Sequence, residues 1–304
     1  MFPLATINMR KVLGKILSRL RLKTGPVAKV SLTSGGTIEV PMPCGKVTEG
    51  GRLWLFALHK SGSTLLNRLV ADACACSGHE FVNLPRLLFK GGLDWPQIAG
   101  FDPSFFSRAN TIYGGFRHLL DPSLGIVFNP EDRVVLLVRD PRDMLTSAYF
   151  SQAKSHALPA GGEVREKLLE ARRHASATAI DDYVKERAPQ VAIHLDAYQA
   201  TFEIAEGKAH AAAPKVLLCR YEDIIYRKAE WLAEIAEFFG MALAPGKAER
   251  LAKRHEIIPA AEDAGSHIRR VHPGDHKSKL LPETIAWLND YFAESARPFG
   301  YTFK

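Results

Sequence analysis

LWLFALHKSGSTLLNR, residues Leu53 to Arg68, changes character twice in one short stretch. Leu53 to Leu58 is a continuous apolar run with the length of a buried strand. Lys60-Ser61-Gly62-Ser63-Thr64 then breaks the run. Leu65, Leu66, Leu69 and Val70 resume it at the spacing of a helix facing a core. Strand, small-residue loop and helix start together predict an anion cradle. Gly62 lets the backbone turn tightly and approach a ligand. The first helical N–H groups lack partners within the helix and point outward. Ser63 and Thr64 cap and donate hydroxyls, and Lys60 adds a full charge at the mouth. Taken alone, the loop fits a capped strand-to-helix turn as well.

The magnesium-triphosphate loop G-x-x-x-x-G-K-[ST] places its Lys after the second Gly. Here Lys60 precedes Gly62 and the upstream Gly is missing, which makes that site the weaker reading. A second stretch, RVVLLVRDPR from Arg133 to Arg142, adds weight to the cradle. Val134 to Val138 reads as a strand inside a parallel sheet, and Arg139 stands at its carboxyl end, where open α/β sheets bind ligands. Pro141 suits the first turn of the next helix, and Asp143 suits that helix's positive end. Ser147, eight residues after Arg139, falls about two turns into the same helix.

Lys60 to Thr64, followed by Arg139-Asp140-Pro141-Arg142-Asp143 with Ser147, resembles the two cofactor motifs of the sulfotransferases that use 3′-phosphoadenylyl sulfate (PAPS). The resemblance implies that Lys60, Ser61, Gly62, Ser63 and Thr64 grip the 5′-phosphosulfate, and that Arg139 and Ser147 hold the 3′-phosphate. Arg269-Arg270-Val271-His272-Pro273-Gly274-Asp275-His276-Lys277 is similar to the family's late R-K-G-x-x-G-D-W-K segment, with Val271 in place of a Gly and His276 in place of the Trp. It implies a 3′-phosphate contact for Arg269 and Arg270. Arg220-Tyr221-Glu222-Asp223 resembles a strand-end Y-E-D whose Tyr lies near the adenine. Thr111 to Leu120, TIYGGFRHLL, sits where the family carries a K-T-H-L-P-like strand end, so His118 falls on the catalytic base; Phe116 replaces the Lys and Leu120 the Pro. An imidazole titrates near neutrality and suits that role; the plain alternative is a structural His near a strand end. His156 and Glu163 are further candidates.

The chain has 304 residues, 46% hydrophobic and 24% charged, as in an ordinary globule. Its net charge of +7 fits nucleic acid, a membrane surface or a small polyanion. No basic run interleaved with aromatics marks a nucleic-acid groove, and a multiply charged donor accounts for part of the excess. Cys44, Cys74, Cys76 and Cys219 match neither a zinc knuckle nor a C-x-x-C pair, and read as reduced thiols of a cytoplasmic protein.

No run is long enough for a transmembrane helix. Met9, Val12, Leu13, Ile16, Leu17 and Leu20 share one helical face opposite Arg10, Lys11, Lys15, Arg19, Arg21 and Lys23. This basic amphipathic stretch, residues 9–23, is either a surface helix or a peripheral contact with the inner face of a membrane. Lys29 to Val40 reads as a hairpin about Ser34-Gly35-Gly36. Residues 1–50 thus form an N-terminal extension and residues 51–304 a sulfotransferase domain.

Farther along, a helix to about Ser77 and a strand from Glu80 to Leu84 are expected. Residues 85–110, rich in Gly, Pro and aromatics, read as an irregular segment, either lining an acceptor pocket or simply packed. Residues 152–190 read as a mobile lid followed by a helix from about Val164, then a helix at about 191–207 and a strand from Lys215 to Cys219. Trp231 to Phe239, ending at Gly240, and Pro282 to Ala296 read as helices.

The fold expected is α/β, a mainly parallel central sheet with helices on both faces, like P-loop nucleotide-binding domains. The reaction expected is sulfuryl transfer from PAPS to a hydroxyl or amine of a small-molecule, lipid or carbohydrate acceptor, with no metal and no nucleic acid. Two rivals remain. One is a P-loop nucleotide kinase or nucleoside triphosphatase, and the other is a non-catalytic nucleotide-binding module on a membrane.

Overall fold

The structure, a computed structural model, describes residues 26–120, 124, 126–155, 158–159, 161–204, 213–256 and 271–303. The basic stretch 9–23 lies outside them. Ala28, Val30 and Leu32 alternate with exposed neighbours, and this period of two makes strand β1 (Val27–Leu32). It pairs antiparallel with β2 (Thr37–Pro41), and the turn between them uses Gly35 and Gly36 at φ 82° and 84°. The chain then forms β3 (Leu53–Ala57), α1 (Ser63–Ser77), β4 (Glu80–Asn83), α2 (Leu84–Lys90) and β5 (Ile98–Phe101). After β6 (Thr111–Phe116) and β7 (Arg133–Val138) comes α3 (Pro141–Phe150), with Pro141 in its first turn and Asp140 capping it through Arg142 N at 2.9 Å. Helices α4 (Glu163–Ala177) and α5 (Ile180–Phe202) lead to β8 (Lys215–Arg220) and the short α6 (Tyr221–Ile224). Helices α7 (Lys228–Phe239), α8 (Lys247–Arg254), α9 (His276–Lys279) and α10 (Pro282–Ala296) follow.

Five strands form the main sheet in the order β4-β6-β3-β7-β8, and every pairing in it is parallel. The apolar runs of β3 and β7 point alternately to two cores. Trp54, Phe56, Val134, Leu136 and Val138 face one, with Tyr198 and Phe202 of α5 and Phe292 of α10. Leu55, Ala57, Val135 and Leu137 face the other, with Leu66, Leu69 and Val70 of α1 and Trp231 and Ile235 of α7. Both faces are covered by helices, as the apolar runs require. At the amino ends of the strands the fully buried Asp132 accepts from Arg52 N (2.8 Å), Arg52 Nη2 (2.6 Å) and Trp54 Nε1 (3.3 Å). Its own carbonyl accepts from Lys215 N at 2.9 Å, so one residue ties β3, β7 and β8.

Two expectations need correction. Residues 85–110 are not irregular: they hold α2, β5 and single helical turns, and β5 pairs with β1 to extend the hairpin to three strands. Their aromatics pack, with Phe105 and Phe106 buried against Tyr113 and Trp54. The helix expected at about 191–207 begins at Ile180, because Pro189 lies inside α5 without ending it.

Candidate functional site

The main sheet brings four chain segments to one edge. β6, β3, β7 and β8 are parallel neighbours, so the residues just past each strand meet beyond their carboxyl ends. These are Arg117 and His118, Lys60 to Thr64, Arg139, and Tyr221. β3 is the switch point, since the chain leaves it towards β4 on one side while β7 pairs on the other, and such a crevice is where open sheets bind ligands.

The loop after β3 is tightly wound. Leu58 N still bonds Leu137 O at 3.1 Å, and Leu58 O then accepts both Ser61 N (3.1 Å) and Ser61 Oγ (2.7 Å). Lys60 adopts φ 67°, a left-handed conformation that a non-Gly residue holds at a cost of about 1–3 kcal/mol and that clusters at ligand sites. Gly62 follows at φ 99°, ψ 16° and starts α1 without a side-chain cap. The first bonds of α1 run from Leu65 N and Leu66 N to Gly62 O, so the N–H groups of Ser63 and Thr64 precede the helical ladder and present a positive end.

Arg139 is 6% exposed. Its Nη1 donates to Lys60 O at 3.4 Å and its Nη2 to Asp143 Oδ2 at 3.3 Å. Its Cζ lies 4.5 Å from the centre of the Tyr221 ring. Its Nε is buried with no partner among the described residues, an orphan donor where an anion is expected. Asp143 is the anchor of this wall, accepting also from Gly274 N (2.7 Å), His276 N (3.1 Å) and His276 Nδ1 (2.6 Å). Burial alone raises such a carboxyl, but the His276 hydrogen bonds and the Arg139 charge outweigh it and hold Asp143 well below the usual carboxylate range. Tyr221 donates to Val271 O at 2.7 Å, and burial pushes its phenol up to about 12. The residues 271–276 are thereby pinned against Arg139 by two elements at once.

These walls enclose a cavity of about 160 Å³. Of the residues expected from sequence, Lys60, Gly62, Ser63, Thr64, Arg139, Ser147 and Tyr221 line it together. Ser61 does not: it is fully buried, with its hydroxyl turned to Leu58 O, and shapes the loop. His118 does not line it either. It lies in a bend just past β6 with its ring stacked on His194, centroids 5.8 Å apart at 24°, and burial together with the His194 charge pushes its pKa down. Arg269 and Arg270 lie outside the described residues, as does His156. Glu163 begins α4, paired with Lys167 at 2.7 Å.

Sequence reasoning missed Arg68, Arg117, Lys228 and His255, which also line the cavity. Arg68 was legible, since it falls one helical turn beyond Thr64. Lys228, 7% exposed and bonded to Glu256 at 2.7 Å, gave no local signal. Among the described residues no carboxylate lines the cavity. Among the described residues no group of three or more His, Cys, Asp and Glu is placed to hold a metal.

The sulfotransferase domain family matches residues 51–300. No curated relative matches the sequence. Among solved structures the chain is similar to mouse sulfotransferase SULT7A1 complexed with PAP, at 13% identity over 83% of this chain and 85% of that one, TM-score 0.47. It is also similar to retinol dehydratase in complex with androsterone and inactive cofactor PAP, at 14% identity over 96% and 95%, TM-score 0.45. A retinol dehydratase complex with retinol and PAP gives 15% identity over 95% and 96%, TM-score 0.44.

Proposed function

The chain belongs to the sulfotransferase domain family, and from that premise we propose that it transfers a sulfuryl group from PAPS to a hydroxyl or amine of a small-molecule, lipid or carbohydrate acceptor. PAPS supplies an activated sulfur and a phosphate leaving group. Lys60 and the N–H groups of Ser63 and Thr64 stabilise the charge that grows on the leaving phosphate oxygen, the electrostatic contribution that usually dominates such chemistry. Arg139 and Ser147 hold the 3′-phosphate, joined by Arg269 and Arg270, and fix the donor in line. Tyr221 lies against the adenosine. His118, kept neutral, takes the acceptor proton.

The observation that supports this reading is the shared wall. Lys60, Ser63, Arg139 and Ser147, from two different strand ends, line one cavity that has no carboxylate among the described residues and in which a buried Arg139 donor has no partner among them. A second phosphate of the donor fits that orphan. We also assign the protein to the cytoplasm, a compartment supported by its four free cysteines, with residues 9–23 as a peripheral membrane contact. Residues 1–50 are an extension to the catalytic domain. No helix among the described residues is long and apolar enough to cross a membrane.

The test is turnover. Purified protein with PAPS is offered phenols, sterols, sugars and lipid alcohols, and the sulfated product is measured. Wild type is expected to sulfate one class, and Lys60→Ala to lose about 100-fold or more in kcat. Equal product from wild type and Lys60→Ala contradicts the reading.

A further inference from the structure

Three consecutive residues at the end of β6 point to three different places. Phe116 is buried in the core, its ring 5.2 Å from that of Phe56 and 5.7 Å from that of Trp95. His118 stacks on His194. Arg117, between them, is exposed and lines the same cavity as Lys60 and Ser63. Its guanidinium makes no hydrogen bond or ion pair among the described residues. The protein crowded around it lowers its pKa, and the charge of Asp94 only partly counters this; Asp94 Oδ1 accepts from Trp95 N at 2.8 Å. A guanidinium open to a cavity, crowded by protein and without a hydrogen-bond or ion-pair partner among the described residues is placed to receive an anion.

The strand order fixes the side from which Arg117 reaches the loop. β6 and β7 flank β3 on opposite sides. Arg139 therefore borders the Lys60 loop from the β7 side and Arg117 from the β6 side. Arg139 is already engaged by Asp143 and Lys60 O. Arg117 stands on the side of His118.

We propose that Arg117 is a catalytic residue whose guanidinium contacts the oxygens of the transferring sulfuryl group. This rests on the sulfotransferase reading above. In the step, the acceptor oxygen or nitrogen forms its bond to sulfur as the bond from sulfur to the 5′-phosphate oxygen breaks. The electron pair stays on that phosphate oxygen, and the acceptor proton passes to His118. Lys60 meets the charge on the departing oxygen, and Arg117 meets the sulfuryl oxygens from the β6 side. Arg117 itself moves no proton. Adenosine 3′,5′-bisphosphate (PAP), which lacks the sulfuryl group, is bound without it.

The experiment compares full-length wild type, Arg117→Ala and Arg117→Lys. The readouts are kcat, acceptor KM, PAP affinity by calorimetry and the thermal midpoint. Arg117→Ala is expected to lower kcat about 100-fold with PAP affinity held within about threefold, and Arg117→Lys to recover about tenfold. Arg117→Gln, which keeps a polar stem, replaces the Ala variant if that one fails to fold. An unchanged kcat, a loss of PAP affinity in step with kcat, or a change in acceptor KM alone overturns the proposal. A wild type that binds PAP and turns over in those cases leaves the family reading standing; one that does neither overturns both.

Discussion

Asp143 does more than its place in the sequence announces. Its position early in a helix reads as a favourable charge near the positive end. In the folded chain it is fully buried and accepts from Arg139, Gly274 and His276. Nothing local in the sequence says that His276, more than a hundred residues later, closes onto it. Removing this acceptor with Asp143→Ala leaves Arg139 buried without its charge partner, and is expected to cost about 3–5 kcal/mol in urea unfolding. The pH dependence follows from the sign. The folded carboxyl lies below its ordinary value, so its stabilisation is complete above about pH 5 and is lost as pH falls towards the folded value. The urea midpoint of wild type is expected to drop more steeply between about pH 5 and pH 2.5 than that of Asp143→Asn. His118 carries the opposite charge logic. In the proposed reaction its neutral form is the base, and burial with His194 lowers its pKa. The acid limb of kcat/KM is therefore expected below about pH 6.5, and His118→Ala is expected to lower kcat about 10²–10⁴-fold. An acid limb at or above that pH argues against His118 as the base.

The loop from β3 to α1 is the element whose shape matters most. A Cβ added to Gly62 meets Tyr221 Cδ2 and Cε2 at 2.9 Å, and the backbone there has φ 99°. The Tyr221 ring cannot swing freely, because its hydroxyl holds Val271 and its face holds Arg139. Gly62→Ala is expected to cost about 1–3 kcal/mol in thermal unfolding and to weaken PAP binding at the same time. Gly35 has a similar φ of 82° but open space around it; Gly35→Ala serves as the control, expected to cost about 1 kcal/mol with PAP affinity unchanged. The two strands and the loop were legible, because apolar runs ending in Lys60 or Arg139 carry their meaning locally. β5 was not, since it is short, contains Gly100 and is made a strand by its pairing with β1. The start of α5 was hidden by Pro189, which tertiary packing against α3 and α10 overrides.

At the scale of the whole molecule, the parallel order β4-β6-β3-β7-β8 turns separate sequence motifs into one site. The motif residues at strand ends were legible one by one. The cations that complete the cavity from elsewhere, Lys228 from α7 among them, were not, because only the fold brings them near Lys60. With a chain charge of +7 and no carboxylate among the described residues of the cavity lining, donor affinity is expected to fall as salt rises. The most direct test of the central claim is calorimetry of PAP against wild type, Lys60→Ala and Arg139→Ala, with ATP and magnesium as the competitor ligand. One cavity spanning both strand ends requires that PAP bind wild type at about one per chain without metal, and that either substitution weaken it about tenfold or more. PAP affinity untouched by either substitution, or tighter binding of ATP with magnesium, contradicts it.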